Sequence, residues 1–287
     1  MKKVGLICNL AWERCYNLKQ YYYSINNLFE DVRLVSSCED LNGLDIVFVG
    51  DDHHYAHRDV LHQPGFVEKC NADKIKVVAF TAEKIFDAFF DGNIDKFKFL
   101  KRINDLHIYT MDADDCALLG TKLHRPLFSK HYQDFMKVDV ENKIDEVVFI
   151  GRSDPKLFNG CYKERAKELE ALQKLIPITI IPPDIELWKD YMATLAKYRF
   201  VLYPAANGNF LGFRFYETLL AKSIPICRVW KNTLKYYDLE AKFDDCIFYE
   251  DVAEIPEKIK NCTYKYSHSQ IWAEDYLSKV LKKDGVL

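Results

Sequence analysis

The chain has 287 residues, 49% of them hydrophobic and 29% charged, with a net charge of −3. That length suits two domains of roughly 100–200 residues each, or one large α/β domain. The apolar content supports sizeable cores and excludes wholesale disorder, and the near-neutral balance excludes a globally polybasic nucleic-acid or membrane binder.

The opening segment, MKKVGLICNLAWERCYNLK, superficially mimics a signal peptide, but Asn9 and Glu13 interrupt its apolar run and no small-residue cleavage site follows. It reads as a first buried strand, 4–8. Further strands are predicted at 32–35, 46–50, 77–81 and 106–110, with helices at 15–29, 82–90, 96–103 and 112–119 between them. Strands this apolar are usually covered on both faces, as in doubly wound sheets. The polar run 137–146 (KVDVENKIDE) breaks the rhythm and is the predicted linker. The pattern restarts with strands at 147–150, 178–181, 200–203 and 224–229, and helices at 163–175, 187–197 and 215–222. An amphipathic helix at 269–281 closes the chain. No window approaches the ~20 apolar residues of a membrane span. The nine cysteines are scattered singly with no Cys-x-x-Cys spacing, so neither a zinc site nor a disulfide framework is encoded locally. A reducing, cytoplasmic setting is the expectation.

The segment 197–229, KYRFVLYPAANGNFLGFRFYETLLAKSIPICRV, reads as strand, loop, helix, strand. The loop 204–212 carries Asn207 and Gly208 among two glycines and two asparagines, which permit tight turns and close backbone approach to a ligand. The helix that follows begins near Phe213, so its free N–H groups favour an anion such as a diphosphate. Arg214 adds a planar cation suited to phosphate oxygens. Glu217, three residues on, can accept the hydroxyl protons of a ribose. The alternative is an ordinary i,i+3 surface ion pair, worth a few tenths of a kcal/mol.

The run from Arg214 through Pro225 resembles the nucleotide-sugar signature of GT-B glycosyltransferases, and is similar in particular to exostosin-like and family-1-like members. The resemblance implies an α/β GT-B fold: two Rossmann-like domains facing a central cleft, an acceptor domain at 1–140 and a donor domain at 141–287. It also implies that the last helix packs back across both. Arg214, Asn207 and Gly208 then serve the diphosphate and Glu217 the ribose. The position that carries the first Glu of the E-x7-E pair of many retaining members is Asn209, which leaves the stereochemistry open. VVFIGRSD (147–154) looks like the first strand and glycine turn of the same domain. Gly151, Arg152, Ser153 and Arg165 are therefore candidate donor contacts, although a strand–Gly–helix junction occurs in every α/β protein.

An inverting member needs a base for the acceptor hydroxyl. The densest candidates are Asp51, Asp52, His53 and His54, directly after the strand IVFVG, with Asp52 and His53 preferred and His54 assigned to the acceptor. The alternatives for this cluster are a metal site and a plain solvated loop. Glu83 is a further base candidate or a helix-dipole residue. The resemblance implies no cofactor and no essential metal, with a UDP-sugar as the expected co-substrate. The acceptor is either a glycan or a hydroxylated pyrimidine in DNA, as in the phage enzymes that add sugars to modified pyrimidines. Lys98, Lys101, Arg102 and Arg125 are the candidate acceptor-binding cations. The rival classes are a non-catalytic nucleotide-sugar-binding α/β protein and a Rossmann dehydrogenase. The second lacks a G-x-G-x-x-G after residue 8.

Overall fold

A computed structural model describes residues 2–8, 16–50, 60, 63–81, 98–126, 128–131, 142–156, 162–183, 185, 188–204, 211–229, 246–263 and 273–287. The chain divides into two compact units, Met1–Tyr132 with Gln270–Leu287, and Gln133–Ser269. The terminal segment thus groups with the first unit.

The first unit holds six parallel strands, β1 (Val4–Ile7), β2 (Val32–Leu34), β3 (Ile46–Val49), β4 (Lys76–Thr81), β5 (Leu106–Thr110) and β6 (Lys122–Leu123), in the order β2-β1-β3-β4-β5-β6. Side chains alternate across a strand, and both faces are covered. Val47, Val49, Val77 and Ala79 pack with Phe66, Val67 and Leu100 on one side. Ile46, Phe48, Val78, Phe80 and Tyr109 pack with Tyr21, Ile25, Leu277 and Leu281 on the other. The continuous apolar runs of β1 and β3 follow from this, while the edge strand β2 is partly solvated.

Helix α1 (Tyr16–Leu28) buries Tyr21. Its neighbour Tyr23 instead stacks on His131, with ring centroids 3.9 Å apart. Helix α2 (Phe66–Ala72) escapes the sequence reading, because two turns leave no periodicity to count. Helix α3 (Ala113–Leu119) starts where expected: Asp112 caps it, accepting from the backbone N–H of Asp114 and Asp115 at 2.9 and 3.0 Å. Gly120 ends it at φ 66°. The predicted helix 96–103 is helical at 98–100 and turns at 101–102 among its described residues.

In the second unit, β7 (Ile144–Ile150), β8 (Ile178–Ile181), β9 (Tyr198–Tyr203), β10 (Ile224–Arg228) and β11 (Ile247–Tyr249) form a parallel sheet in the order β11-β10-β9-β7-β8. Helices α4 (Lys163–Gln173), α5 (Trp188–Ala196), α6 (Phe213–Leu220) and α7 (Ile255–Lys260) accompany it. Strand β7 begins inside the segment read as linker. Its first three residues, Ile144, Asp145 and Glu146, are exposed and show no buried-strand pattern, but Ile144 pairs with Tyr198 of β9. Backbone pairing rather than burial makes them strand. β11 and α7 also lie beyond the sequence reading.

The last helix, α8 (Ala273–Lys283), belongs to the core of the first unit. At its start the Glu274 carboxylate accepts from Ser129 Oγ at 2.6 Å, Asn27 Nδ2 at 2.9 Å and the Lys130 N–H at 3.0 Å. At its end Asp284 accepts from the Tyr109 hydroxyl at 2.7 Å, and Lys2 Nζ and Lys76 Nζ donate to the carbonyls of Val286 and Gly285. Among the described residues, no helix is long and apolar enough to cross a membrane. Leu277 is fully buried against the sheet. Leu277→Ala is expected to cost about 2–5 kcal/mol in urea unfolding; an unchanged midpoint would mean that this helix is not part of the first unit's core.

Candidate functional site

Strand order locates where each sheet opens. In the second unit the chain leaves β7 for β8 on one side and returns to β9 on the other, so the connections after β7 and β9 diverge. A crevice at the carboxyl ends of two such strands is where open α/β sheets bind ligands. The residues leaving β7 are Gly151, Arg152 and Ser153, and those leaving β9 run through Pro204 toward Gly212 and the start of α6. The two sequence-predicted donor segments are therefore neighbours through the β7–β9 pairing. In the first unit the same reversal falls between β1 and β3, and the chain enters the Asp51–His54 segment from the carboxyl end of β3.

Arg214 sits in the first turn of α6 and is partly buried. Its guanidinium lies against the backbone of Gly151: a Cβ there would stand 2.7 Å from Nη1 and 3.2 Å from Nη2. A side chain at this turn would displace the guanidinium from the place it occupies. The guanidinium carbon also lies 5.7 Å from the centre of the Phe149 ring, and Nε donates to the Tyr191 hydroxyl at 3.2 Å.

Glu217, one turn along the same helix, is 7% exposed. Its Oε1 accepts from the Trp188 indole N–H at 2.8 Å, and the Tyr191 hydroxyl also bonds the carboxylate. Arg214 and Glu217 are thus joined through the phenol of Tyr191, and Glu217 is buried, which rules out the surface ion pair. Burial raises the Glu217 pKa above its ordinary value, against the opposing effects of Trp188, Arg214 and Tyr191. Burial, with the nearby carboxylate, likewise pushes the Tyr191 phenol up.

The surroundings of this group are cationic at one end. Gly212 caps α6 and has no side chain of its own to accept from the first N–H groups, and no acidic residue stands in the first turn. The Gly212 N–H is held by the Tyr203 hydroxyl at 3.2 Å, a phenol pushed up to about 12 by burial and lowered in part by Arg214 and Arg165. Arg165, on α4, donates to the Arg152 carbonyl at 3.0 Å and lies over the Tyr162 ring at 4.4 Å. It braces the turn after β7. Arg152 itself is exposed and Ser153 half-buried.

Asp51, Asp52, His53, His54, Glu83, Asn207 and Gly208 lie outside the described residues. Two of the sequence-predicted acceptor cations are engaged within the first unit. Arg102 pairs with Glu68 at 3.1 Å, and Arg125 stacks over Tyr276 at 4.1 Å. Their neighbours Lys122 and Lys130 pair with Asp284 and Asp275. Lys98 and Lys101 are exposed. Among the described residues, no group of three or more His, Cys, Asp or Glu side chains is placed to hold a metal ion. Sequence reasoning passed over Trp188, Tyr191 and Tyr203. The available signal was the i,i+3 spacing of two aromatics with polar tips in LWKDYM, which places both on one helix face.

No protein-family model and no curated protein matches the chain. Solved structures do match. An alpha-glucosyltransferase in complex with UDP and a 13-mer DNA containing an A:G mismatch aligns at TM-score 0.54 and 12% identity, over 98% of this chain and 96% of its own. Anabaena HepE in complex with UDP aligns at 0.51 and 9%, over 98% and 95%. An alpha1,3-fucosyltransferase with GDP aligns at 0.50 and 14%, over 95% and 80%. These likenesses establish the fold: the chain is an α/β protein of the GT-B fold class, built on two parallel sheets.

Because folding raises the Glu217 pKa, the native state binds a proton more tightly than the unfolded chain does. Stability associated with this group is therefore present below the unfolded value near 4.5 and is lost as pH rises through the folded value. Glu217→Gln keeps an acceptor for Trp188 without the charge. Its unfolding midpoint is expected to match wild type at pH 4 and to exceed it at pH 7; the opposite order at pH 7 would refute the burial argument.

Proposed function

We propose that the chain is a glycosyltransferase that moves a hexosyl or pentosyl group from a nucleotide-sugar to a hydroxyl acceptor, and that the second unit binds the donor. The observation that carries this reading is the Arg214 guanidinium lying on the glycine turn after β7, beside the glycine-capped N-terminus of α6. The solved neighbours that bind UDP or GDP with this fold add support.

In transfer, the anomeric C–O bond to the diphosphate breaks as the acceptor oxygen forms its bond to the same carbon. The leaving diphosphate gains a negative charge, and the acceptor proton passes to a base. Arg214 and the α6 N–H groups meet the developing charge. Glu217 accepts from the ribose hydroxyls, its carboxylate held in place by Trp188 and Tyr191. Asp51, Asp52, His53 and Glu83 are the proposed bases. A UDP-sugar is the proposed donor. Cationic side chains and backbone amides compensate the diphosphate, so the proposed reaction needs no metal.

Both acceptor classes retain support. A hydroxylated DNA base draws it from the neighbour in complex with DNA. The ion pairs of Arg102, Lys122 and Lys130 weigh toward a glycan, since these cations already have carboxylate partners in their own unit.

A ligand at 100 times its Kd stabilises the folded state by about 2.7 kcal/mol. A thermal-shift panel of UDP-, GDP-, ADP- and CDP-sugars is therefore expected to raise the midpoint for one nucleotide class, UDP first, with the shift unchanged in EDTA. Arg214→Ala is expected to lower kcat by about 100-fold or more. No shift with any nucleotide-sugar would remove the donor site. Binding without transfer to glycan or hydroxylated DNA, unaffected by substitutions at 51–54, would favour the non-catalytic binding protein.

A further inference from the structure

The four polar groups of the donor site sit on two helices, Trp188 and Tyr191 on α5 and Arg214 and Glu217 on α6. The Tyr191 bridge and the Trp188–Glu217 bond form only if these helices keep one spacing, because N–H···O hydrogen bonds span donor–acceptor distances of only about 2.7–3.2 Å. The opposite ends of both helices converge on one side chain, Lys143, which lies immediately before β7.

Lys143 Nζ donates to the carbonyl of Ala196, the last residue of α5, at 2.7 Å. It also donates to the carbonyl of Ala221, the C-cap of α6, at 3.0 Å. Ser223 Oγ stands 2.9 Å away and the Tyr198 carbonyl 3.4 Å away. Ser223 is itself buried, and its hydroxyl reaches the Tyr198 carbonyl at 2.7 Å. The α6 end is shaped for this contact, because Lys222 adopts φ 55° and turns the chain so that the Ser223 N–H returns to the Thr218 carbonyl. The last carbonyls of a helix lack intrahelical partners and carry its negative dipole end. One ammonium here satisfies two such ends together. Burial, with the Lys222 charge beside it, lowers the Lys143 pKa to about 8, so this cation is held in place at a cost rather than left in solvent.

We propose that Lys143 is a positioning residue for the donor site: by joining the C-terminal ends of α5 and α6 it sets the spacing at which Tyr191 bridges Arg214 and Glu217 and Trp188 reaches Glu217. Its consequence for the donor rests on the function proposed above; the spacing itself does not, and the two are tested separately.

The test reads the Trp188 indole N–H by nitrogen-15 NMR, assigned with Trp188→Phe among the four tryptophans of the chain. In Lys143→Met, with far-UV circular dichroism unchanged, the Trp188 resonance is expected to move toward the position of a free indole while the other indole resonances stay. A lowered melting midpoint with the Trp188 resonance unmoved overturns the proposal, because it is the signature of a lysine that only stabilises. If Lys143→Met does not fold, Ser223→Ala keeps the ammonium and removes one of its acceptors. A smaller displacement in the same direction is then expected, and none overturns the proposal. In the second arm, UDP-sugar affinity of Lys143→Met is expected to fall by about tenfold. Unchanged affinity alongside a displaced indole overturns the link to the donor, whereas wild-type protein that binds no nucleotide-sugar overturns the donor reading and leaves the indole result to decide the spacing.

Discussion

The contact between the Arg214 guanidinium and the backbone of Gly151 is the constraint on which the second unit's arrangement turns. With no Cβ at Gly151, the flat cation lies directly on the turn after β7. The guanidinium then needs an oxygen to fix its rotation, which the Tyr191 hydroxyl supplies from a different helix. Tyr191 in turn needs an acceptor for its own proton, and Glu217 provides one from the helix that carries Arg214. The loop closes on itself: two helices and one strand end are tied by a chain of polar atoms in which each group depends on the next.

Such a chain has an energetic cost. A carboxylate that is 7% exposed is disfavoured as an anion, and the raised pKa of Glu217 records this. Hydrogen bonds from an indole and a phenol offset part of the cost, and they also leave the carboxylate with a single orientation. Under the proposed donor role, that fixed orientation is what the ribose hydroxyls would meet. Lys143 extends the same logic to the far ends of the helices, where a half-buried ammonium is met by carbonyl and hydroxyl oxygens.

The first unit follows a different rule. Its cations largely complete their own fold: Arg125 covers Tyr276, Lys122 and Lys130 pair with acids of the terminal segment, and Lys2 and Lys76 hold that segment's carbonyls. Read as sequence, Lys122, Arg125 and Lys130 belong to a basic stretch. Placed in the fold, most of them are struts between the sheet and α8.

The alternation of apolar runs with helical stretches determined, from the chain alone, that this is a layered α/β protein with parallel strands, because a strand buried on both faces has no polar positions to spare. The strand–loop–helix–strand run containing Arg214 and Glu217 was legible for a related reason: the glycine and asparagine spacing before it and the Ile-Pro-Ile after it are local features. Elements formed by pairing rather than burial, such as the exposed start of β7, and helices too short to show a period, such as α2, were not. Nor were Trp188, Tyr191 and Lys143, which lie 26, 23 and 71 residues from Arg214 in the chain. Their role depends on which helix ends the sheet brings together. That adjacency is set by strand order, which no local spacing encodes, and so only the tertiary structure decided it.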